Sequence, residues 1–326
     1  MSPSTAVSLR VLVTGANGFI GQHLRQTLTG KGVDYRGSVR TETAEGDPCD
    51  FAVGDIGPST DWSAALDGVD MVVHLAGRAH ILRGTSAESS ACFMRVNAEG
   101  TATLVRSAVS AGVRRFVYVS SVKVLGSSSE NIPFTAASVP RPHDDYGRSK
   151  LEGEIAARSA ASSRFEVVIV RLPLVYGAGV RANFLRLLRW IDRGWPLPLG
   201  AIHNRRSLLS VWNLCEFLIN VLLNPAAPGG TWLVSDGEDL STPELIRRIG
   251  YAMGRRAKLV PVPVGLLQLL GRLLGQQEEM MRLCGSLTVD MARTRDELKW
   301  SPPFSVDESL KRTVAWYLAE GRSPEA

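Results

Sequence analysis

Tyr146 and Lys150 are four residues apart in the run Tyr146-Gly147-Arg148-Ser149-Lys150, a spacing that places both side chains on one face of a helix. A nearby ammonium favours the phenolate, so Lys150 is expected to lower the pKa of the Tyr146 hydroxyl from its ordinary value of about 10. A phenol tuned in this way can pass a proton to or from a sugar hydroxyl or keto oxygen near neutral pH. Because such pairs also occur by chance on exposed helices, the interpretation depends on further motifs.

A glycine-rich turn near the N-terminus is the first of these motifs. The apolar run 9–14 predicts a buried strand, Gly15, Gly18 and Gly21 follow it at intervals of three residues, and a helical pattern comes next. Glycines in this context allow a tight turn, close approach of the backbone to a pyrophosphate, and close packing of helix on strand. The helix N-terminus adds N–H donors and a positive dipole. The segment therefore predicts a dinucleotide-binding site.

The rest of the chain alternates predicted strands and helices. Strands are predicted near 9–14, 35–39, 50–53, 71–75, 115–120 and 166–171, and helices near 20–29, 90–111 and 147–162. This order predicts the α/β class, a Rossmann doubly wound parallel sheet with a smaller C-terminal substrate-binding lobe. We assign residues 1–175 to the NAD(P)-binding Rossmann domain, with 206–235 returning to it, and residues 176–205 and 236–326 to the substrate-binding lobe.

Together these motifs resemble the extended short-chain dehydrogenase/reductase family, and the resemblance runs along nearly the whole chain. The segment Val117–Gly126 resembles the family strand that carries the catalytic serine. Ser121 stands 25 residues before Tyr146 and matches the family spacing better than Ser120 does. The resemblance therefore implies Ser121, Tyr146 and Lys150 as the catalytic residues.

The same resemblance implies where the cofactor lies. The run 54–56 is similar to the adenine-contacting stretch, 72–77 to the strand end beside the cofactor, and 171–177 to the segment that leads into the substrate-binding lobe. The implied cofactor contacts are Gly15, Gly18, Phe19, Ile20, Gly21, Arg40, Asp55, Ile56, Leu75, Ala76, Gly77, Tyr146, Lys150 and Pro173.

The end of the second predicted strand bears on the choice of cofactor. NAD-preferring relatives carry an acid there, whereas this chain has Val39 followed by Arg40. Without the carboxylate a 2′-phosphate meets no repulsion, and Arg40 could pair with it bidentately. The alternative is a surface arginine that makes a main-chain contact only. NADP(H) is therefore favoured, with NAD(H) as the alternative.

The residues after the serine bear on the reaction. Family members that dehydrate nucleotide sugars carry an Asp-Glu pair where this chain has Val122 and Lys123, so 4,6-dehydration is not expected. The chain is similar to bacterial nucleotide-sugar epimerases, UDP-glucose 4-epimerase-like proteins among them, and to 4-keto reductases of O-antigen pathways. The runs 200–208 and 234–241 look most like the reductases, which implies NAD(P)H-dependent reduction of a UDP-linked 4-keto-6-deoxy-N-acetylhexosamine. A nucleotide-sugar 4-epimerase and a non-catalytic NADP-binding sensor are the alternatives.

Substrate contacts are also implied by the resemblance. Arg206 matches the family arginine that pairs with the substrate diphosphate, with a structural salt bridge as the alternative. Asn183 is expected to face the uridine, and Arg282 is a candidate second ligand of the diphosphate. Ser121 and Tyr146 are expected to contact the sugar itself.

Composition and charge exclude several other classes. The 326 residues are 44% hydrophobic and 21% charged, which is ordinary for a globular chain and argues against disorder. Four widely spaced cysteines predict reduced thiols without a disulfide or zinc framework, and the five histidines show no metal spacing. The net charge of +5 comes from scattered arginines, without the basic run of a nucleic-acid arm.

Cellular location and assembly follow from weaker signals. The N-terminus lacks the form of a signal peptide, so a cytoplasmic enzyme is expected. The Leu-rich run 264–274 is too short to span a membrane; a short packed helix is favoured there, with an interfacial helix as the alternative. A dimer interface formed by two helices is common in the family. The resemblance implies that a homodimer of this chain would use the predicted helices 90–111 and 147–162.

Overall fold

The computed structural model describes residues 9–41, 47–79, 86–129, 132–273, 275 and 283–322. Its strands are β1 (Arg10–Thr14), β2 (Asp34–Val39), β3 (Asp50–Ala52), β4 (Met71–His74), β5 (Arg115–Ser121), β6 (Glu166–Leu172), β7 (Leu174–Tyr176), β8 (Arg206–Ser210), β9 (Thr231–Leu233) and β10 (Asp239–Leu240). The α-helices are α1 (Phe19–Gly30), α2 (Ser63–Leu66), α3 (Ser86–Phe93), α4 (Gly100–Ser110), α5 (Asp145–Ser159), α6 (Ala182–Asp192), α7 (Val211–Leu223), α8 (Thr242–Ala252), α9 (Val264–Leu273), α10 (Ala292–Leu298) and α11 (Val306–Trp316).

The main sheet contains seven strands in the order β3-β2-β1-β4-β5-β6-β9, and each neighbouring pair is parallel. The strand order reverses between β1 and β4. In open parallel sheets, ligands bind beyond the carboxyl ends of the strands at such a reversal. The predicted α/β class and its doubly wound parallel sheet are confirmed, and the six predicted strands coincide with β1 to β6.

Helices cover both faces of this sheet. On one face, side chains of β1 and β4 pack against α1 and α7, with Leu24 and Phe217 fully buried. On the other face, alternate residues of the same strands pack against α2 and α4, where Trp62 and Leu104 are buried. Strands buried on both faces require nearly continuous apolar runs, which is why these strands were predictable from sequence.

A second sheet of three strands, in the order β10-β8-β7, lies beside a separate apolar core. That core contains Tyr176 from β7 and buried side chains of α6, α8 and α11, among them Phe184, Ile246 and Leu310. Strand β9 joins the main sheet beside β6, and α7 packs in the same cluster as α1. The boundaries between the assigned Rossmann domain and substrate-binding lobe stay a prediction.

The run predicted as one helix over 90–111 contains a π-helical turn, Met94–Glu99, between α3 and α4. A π turn accommodates one extra residue and re-aims the side chains around it. At this turn the buried Asn97 amide donates to the Arg78 carbonyl (2.9 Å) and the Ser149 hydroxyl (2.9 Å), and its oxygen accepts from the Arg78 N–H (2.8 Å). The structure therefore differs from the predicted single helix where Asn97 joins α5 to the loop after β4.

Two segments of the chain are strongly apolar. The run 208–223 forms the end of β8 and the buried helix α7. The run 264–273 forms the ten-residue helix α9. No helix within the described ranges is long and apolar enough to cross a membrane.

Candidate active site

The turn between β1 and α1 forms a cradle that only glycine fits. Gly15 has a φ of +66°, and a Cβ there would lie 3.1 Å from the Ala76 Cα. A Cβ on Gly21 would lie 2.3 Å from the Gly15 carbonyl oxygen. Within the described part of the chain, no side chain caps the N-terminus of α1 at Gly18, and its first turn carries no acid. These N–H donors and close backbone contacts fit the pyrophosphate of a dinucleotide.

A buried histidine fixes the loop opposite that cradle. The His74 ring contacts the Thr14 hydroxyl through Nδ1 (2.7 Å) and the Thr101 hydroxyl through Nε2 (3.0 Å). Burial lowers the pKa of His74 to about 3, so the ring is neutral at physiological pH. Thr14 also accepts a hydrogen bond from the Ala76 N–H (3.1 Å), which holds the segment after β4 beside Gly15. The sequence indicated only that His74 ends a strand.

Arg40 lies just beyond the carboxyl end of β2, as the sequence predicted. Its Nε lies 3.0 Å from Asp55 Oδ1, and both side chains are exposed. Val39, in the place of the acid of NAD-preferring relatives, is buried. Ile56 packs against the start of α4, since a Cβ on Gly100 would lie 2.5 Å from Ile56 Cγ2. A 2′-phosphate at this edge would therefore meet a guanidinium already paired with a carboxylate.

Ser121 and Tyr146 lie together at the carboxyl end of β5. Ser121 is the last residue of that strand, and Tyr146 lies in the first turn of α5. Although Tyr146 keeps some exposed surface, removal of water from its hydroxyl raises its pKa to about 12; the nearby Ser121 hydroxyl opposes this and the Asp144 carboxylate adds to it. The predicted lowering of the Tyr146 pKa is therefore wrong for this structure, because desolvation is the larger effect.

Lys150 is nearly fully buried, one turn along α5 from Tyr146. Its side chain is 4% exposed, and Nζ lies 4.2 Å from the centroid of the Tyr118 ring. Burial lowers the pKa of Lys150 to about 7, and the Glu154 carboxylate partly opposes this. A Cβ on Gly77 would lie 3.8 Å from Nζ, so the ammonium lies beside the predicted cofactor loop.

The neighbouring Ser120 is engaged elsewhere. Its hydroxyl donates to Glu154 Oε1 (2.6 Å), and Arg171 binds both oxygens of the same carboxylate (2.9 and 2.7 Å). Glu154 and Arg171 are both buried, so this charge-assisted pair ties α5 to β5 and β6. The arrangement favours Ser121 over Ser120 as the hydroxyl that faces the site. The sequence had no local signal for this network.

Lys123 lies where dehydratases of the family carry an acid. Its ammonium forms an ion pair with Oδ2 of Asp144. Oδ1 of the same carboxylate accepts the Gly147 N–H (2.7 Å) and so caps the N-terminus of α5. The ion pair therefore joins the turn after β5 to the first turn of the helix that carries Tyr146.

The remaining predicted site residues lie outside β5 and α5. Arg206 is the half-buried first residue of β8, and its Nη1 lies 3.3 Å from the Gly285 carbonyl oxygen. Asn183 is exposed on α6 and accepts from Arg186 (3.0 Å), and Pro173 is buried between β6 and β7. Arg282 lies outside the described residues. The contacts of all these residues with a substrate or cofactor stay predictions.

Comparison with known proteins agrees with this geometry. A family model described as "NAD dependent epimerase/dehydratase family" matches residues 11–234. The chain is 40% identical to a UDP-glucose 4-epimerase of Vibrio cholerae over 94% of this chain and 95% of that protein. It is 29% identical to a dTDP-glucose 4,6-dehydratase of Streptomyces niveus, over 95% and 93% of the two chains. Among solved structures, MoeE5 in complex with UDP-glucose and NAD is similar at a TM-score of 0.75 and 25% identity, covering 95% of this chain and 99% of that one.

Proposed function

Because the chain belongs to the NAD dependent epimerase/dehydratase family, we propose that it catalyses oxidation and reduction at C4 of a UDP-linked sugar. The observation that carries this proposal is the cluster of Ser121, Tyr146 and Lys150 at the carboxyl end of β5, beside the glycine cradle after β1. Two neighbouring hydroxyls next to a buried lysine can exchange a proton with an alcohol or ketone oxygen. The likeness to a UDP-glucose 4-epimerase over nearly the full length supports a UDP-sugar as substrate.

In this mechanism Tyr146 exchanges a proton with the C4 oxygen, and Ser121 holds the same oxygen by a hydrogen bond. A nicotinamide cofactor, when bound, accepts or donates the hydride at C4. Lys150 would hold the ribose of that cofactor. The protonated Tyr146, favoured by its raised pKa, is suited to donating a proton to a 4-keto oxygen.

Epimerisation at C4 is the first of two candidate reactions. The Vibrio cholerae relative is the observation that favours it. An epimerase must take the C4 hydride and return it to the other face of the same sugar, so the cofactor is regenerated in every turnover.

Reduction of a 4-keto-6-deoxy UDP-N-acetylhexosamine is the second candidate. Val39 and Arg40 favour it, because an edge without the acid of NAD-preferring relatives suits an exchangeable NADPH. A third reaction, 4,6-dehydration, is not proposed. Lys123 stands where the dehydratases have an acid, and it is paired with Asp144.

One assay distinguishes the candidates. The purified protein is incubated with UDP-glucose or UDP-N-acetylglucosamine and NAD, and separately with a 4-keto-6-deoxy UDP-sugar and NADPH. An epimerase converts the first sugars to their C4 epimers without net loss of cofactor, whereas a reductase consumes NADPH with the keto sugar. Binding of NADPH without turnover of any of these sugars would overturn the proposal and favour a non-catalytic sensor.

A further inference from the structure

Helix α9 presents leucines to solvent along one face. Leu266, Leu269 and Leu273 are 47%, 52% and 75% exposed, and their spacing of three and four residues aligns them on the helix. The neighbouring Leu267 is buried in the second apolar core. One side of the helix therefore packs on the core, and a second apolar side faces solvent. An exposed apolar face of this kind is unusual on a monomeric globular protein.

The chain that leads into α9, and the segment that pairs with it, carry further exposed side chains. Residues 258–260 pair with Leu197 through hydrogen bonds from the Leu197 N–H to the Lys258 carbonyl (2.8 Å) and from the Val260 N–H to the Leu197 carbonyl (2.9 Å). Leu197 points into the core, whereas Lys258 and Val260 are exposed. Trp195, two residues before Leu197, is 50% exposed. Tryptophan is enriched where a protein meets the interface between water and lipid.

The charged side chains of residues 254–273 all have one sign. Residues 254–273 contain Arg255, Arg256, Lys258 and Arg272, without an aspartate or glutamate. All four side chains are exposed, and Arg255 pairs with Asp192 (3.2 Å). Exposed leucines beside exposed cations fit a surface that is apolar below and negatively charged above. An anionic bilayer is such a surface, since acyl chains lie beneath its phosphate groups.

We propose that α9 and residues 254–263 dock the protein on the surface of an anionic lipid bilayer. The leucine face enters the boundary between headgroups and acyl chains, and the basic side chains contact the lipid phosphates. A helix of ten residues is about 15 Å long, about half the thickness of the hydrocarbon core, so it lies on the membrane and does not cross it. This inference is independent of which sugar the active site takes.

Vesicle flotation tests the proposal with the full chain. Wild-type protein is mixed with vesicles of phosphatidylcholine alone, or of phosphatidylcholine and phosphatidylglycerol in equal parts, and the bound fraction is measured. We expect binding to the anionic vesicles at least roughly tenfold tighter than to the neutral ones. The combined change Leu266→Gln, Leu269→Gln and Leu273→Gln should reduce binding by at least about tenfold. Lys258→Gln or Arg272→Gln should each reduce it by roughly fivefold.

The matched control is Leu223→Gln, which alters a 56% exposed leucine at the end of α7. It should bind vesicles as wild type does, and the thermal unfolding midpoints of all variants should agree within a few degrees. The proposal would be overturned if wild-type protein bound neither kind of vesicle, or if the triple variant bound anionic vesicles as tightly as wild type. A wild-type dimer in sedimentation that becomes monomeric on the triple change would also overturn it, because a second copy would then cover the leucines.

Discussion

The Lys150 ammonium lies 4.2 Å from the centroid of the Tyr118 ring, in a position that is almost closed to water. Burial destabilises the charged form of Lys150 by more than the ring and the Glu154 carboxylate stabilise it, so the pKa of Lys150 is lowered to about 7. An aromatic face thus stabilises a cation that the interior would otherwise neutralise. The charge beside Tyr146 therefore changes within the neutral pH range.

The lowered pKa of Lys150 predicts how stability depends on pH. Between about pH 7 and pH 10.5 the unfolded chain binds a proton that the folded chain has released, so the free energy of unfolding rises with pH by about 1.4 kcal/mol per unit from this group. Below pH 7 the full penalty for burying the charge is present. Lys150→Met should remove this slope, and Lys311→Met, at an exposed lysine of α11, should retain it. Urea unfolding at a series of pH values measures the difference, and equal slopes in all three proteins would exclude a titrating buried lysine.

Asp144 is expected to stabilise the helix that carries Tyr146. Asp144→Ala removes the cap on the Gly147 N–H and should lower the free energy of unfolding by about 1 kcal/mol. Asp144→Asn keeps a capping oxygen but weakens the ion pair with Lys123, so it should restore most of that loss. Denaturant titration of the two variants measures this, and an equal loss in both would indicate that the ion pair matters more than the cap.

Arg40 is expected to select the cofactor. Arg40→Ala should weaken NADPH binding by roughly ten- to a hundredfold, because a charge-assisted contact is lost, and should leave NADH binding nearly unchanged. Asp55→Asn should strengthen NADPH binding, since the carboxylate 3.0 Å from the Arg40 guanidinium becomes neutral. Fluorescence titration with both cofactors measures these constants. Equal losses for NADPH and NADH in Arg40→Ala would show that Arg40 does not contact the 2′-phosphate.

Arg206 is expected to hold the diphosphate of the substrate. Arg206→Ala should raise KM for the UDP-sugar strongly while nicotinamide cofactor affinity stays near wild type, because the contact is remote from the reacting carbon. Arg206→Lys should rescue KM only in part, since an ammonium cannot make the forked contact. Arg205→Ala, which removes the adjacent exposed arginine paired with Asp239, is the control and should leave KM unchanged. An unchanged KM in Arg206→Ala would make the arginine structural.

The sequence was most informative where one local pattern decides the structure. The run 9–14 and Gly15, Gly18 and Gly21 predicted β1, the turn and α1, because buried parallel strands need apolar residues and the turn needs glycine. For the same reason the strands that end at His74 and Ser121 were predicted close to their observed bounds.

The residues that support the site were not predictable, because their partners are distant along the chain. Glu154 contacts Ser120 and Arg171, and Lys123 contacts Asp144, across elements that only the folded chain brings together. The pKa of Tyr146 could not be predicted from the spacing to Lys150 either, since it depends on how much water the fold removes from the hydroxyl.

Tyr146, as the group that exchanges a proton with the C4 oxygen, is central to the proposed reaction, and turnover of Tyr146→Phe tests this role directly. The change removes only a hydroxyl, so cofactor binding and the unfolding midpoint should remain near wild type, and Tyr251→Phe, at an 81% exposed tyrosine of α8, is the matched control. With the UDP-sugar that wild type turns over, we predict that kcat falls by about 10²–10⁴-fold in Tyr146→Phe and is unchanged in Tyr251→Phe. Turnover of Tyr146→Phe within a few-fold of wild type would contradict this role of Tyr146.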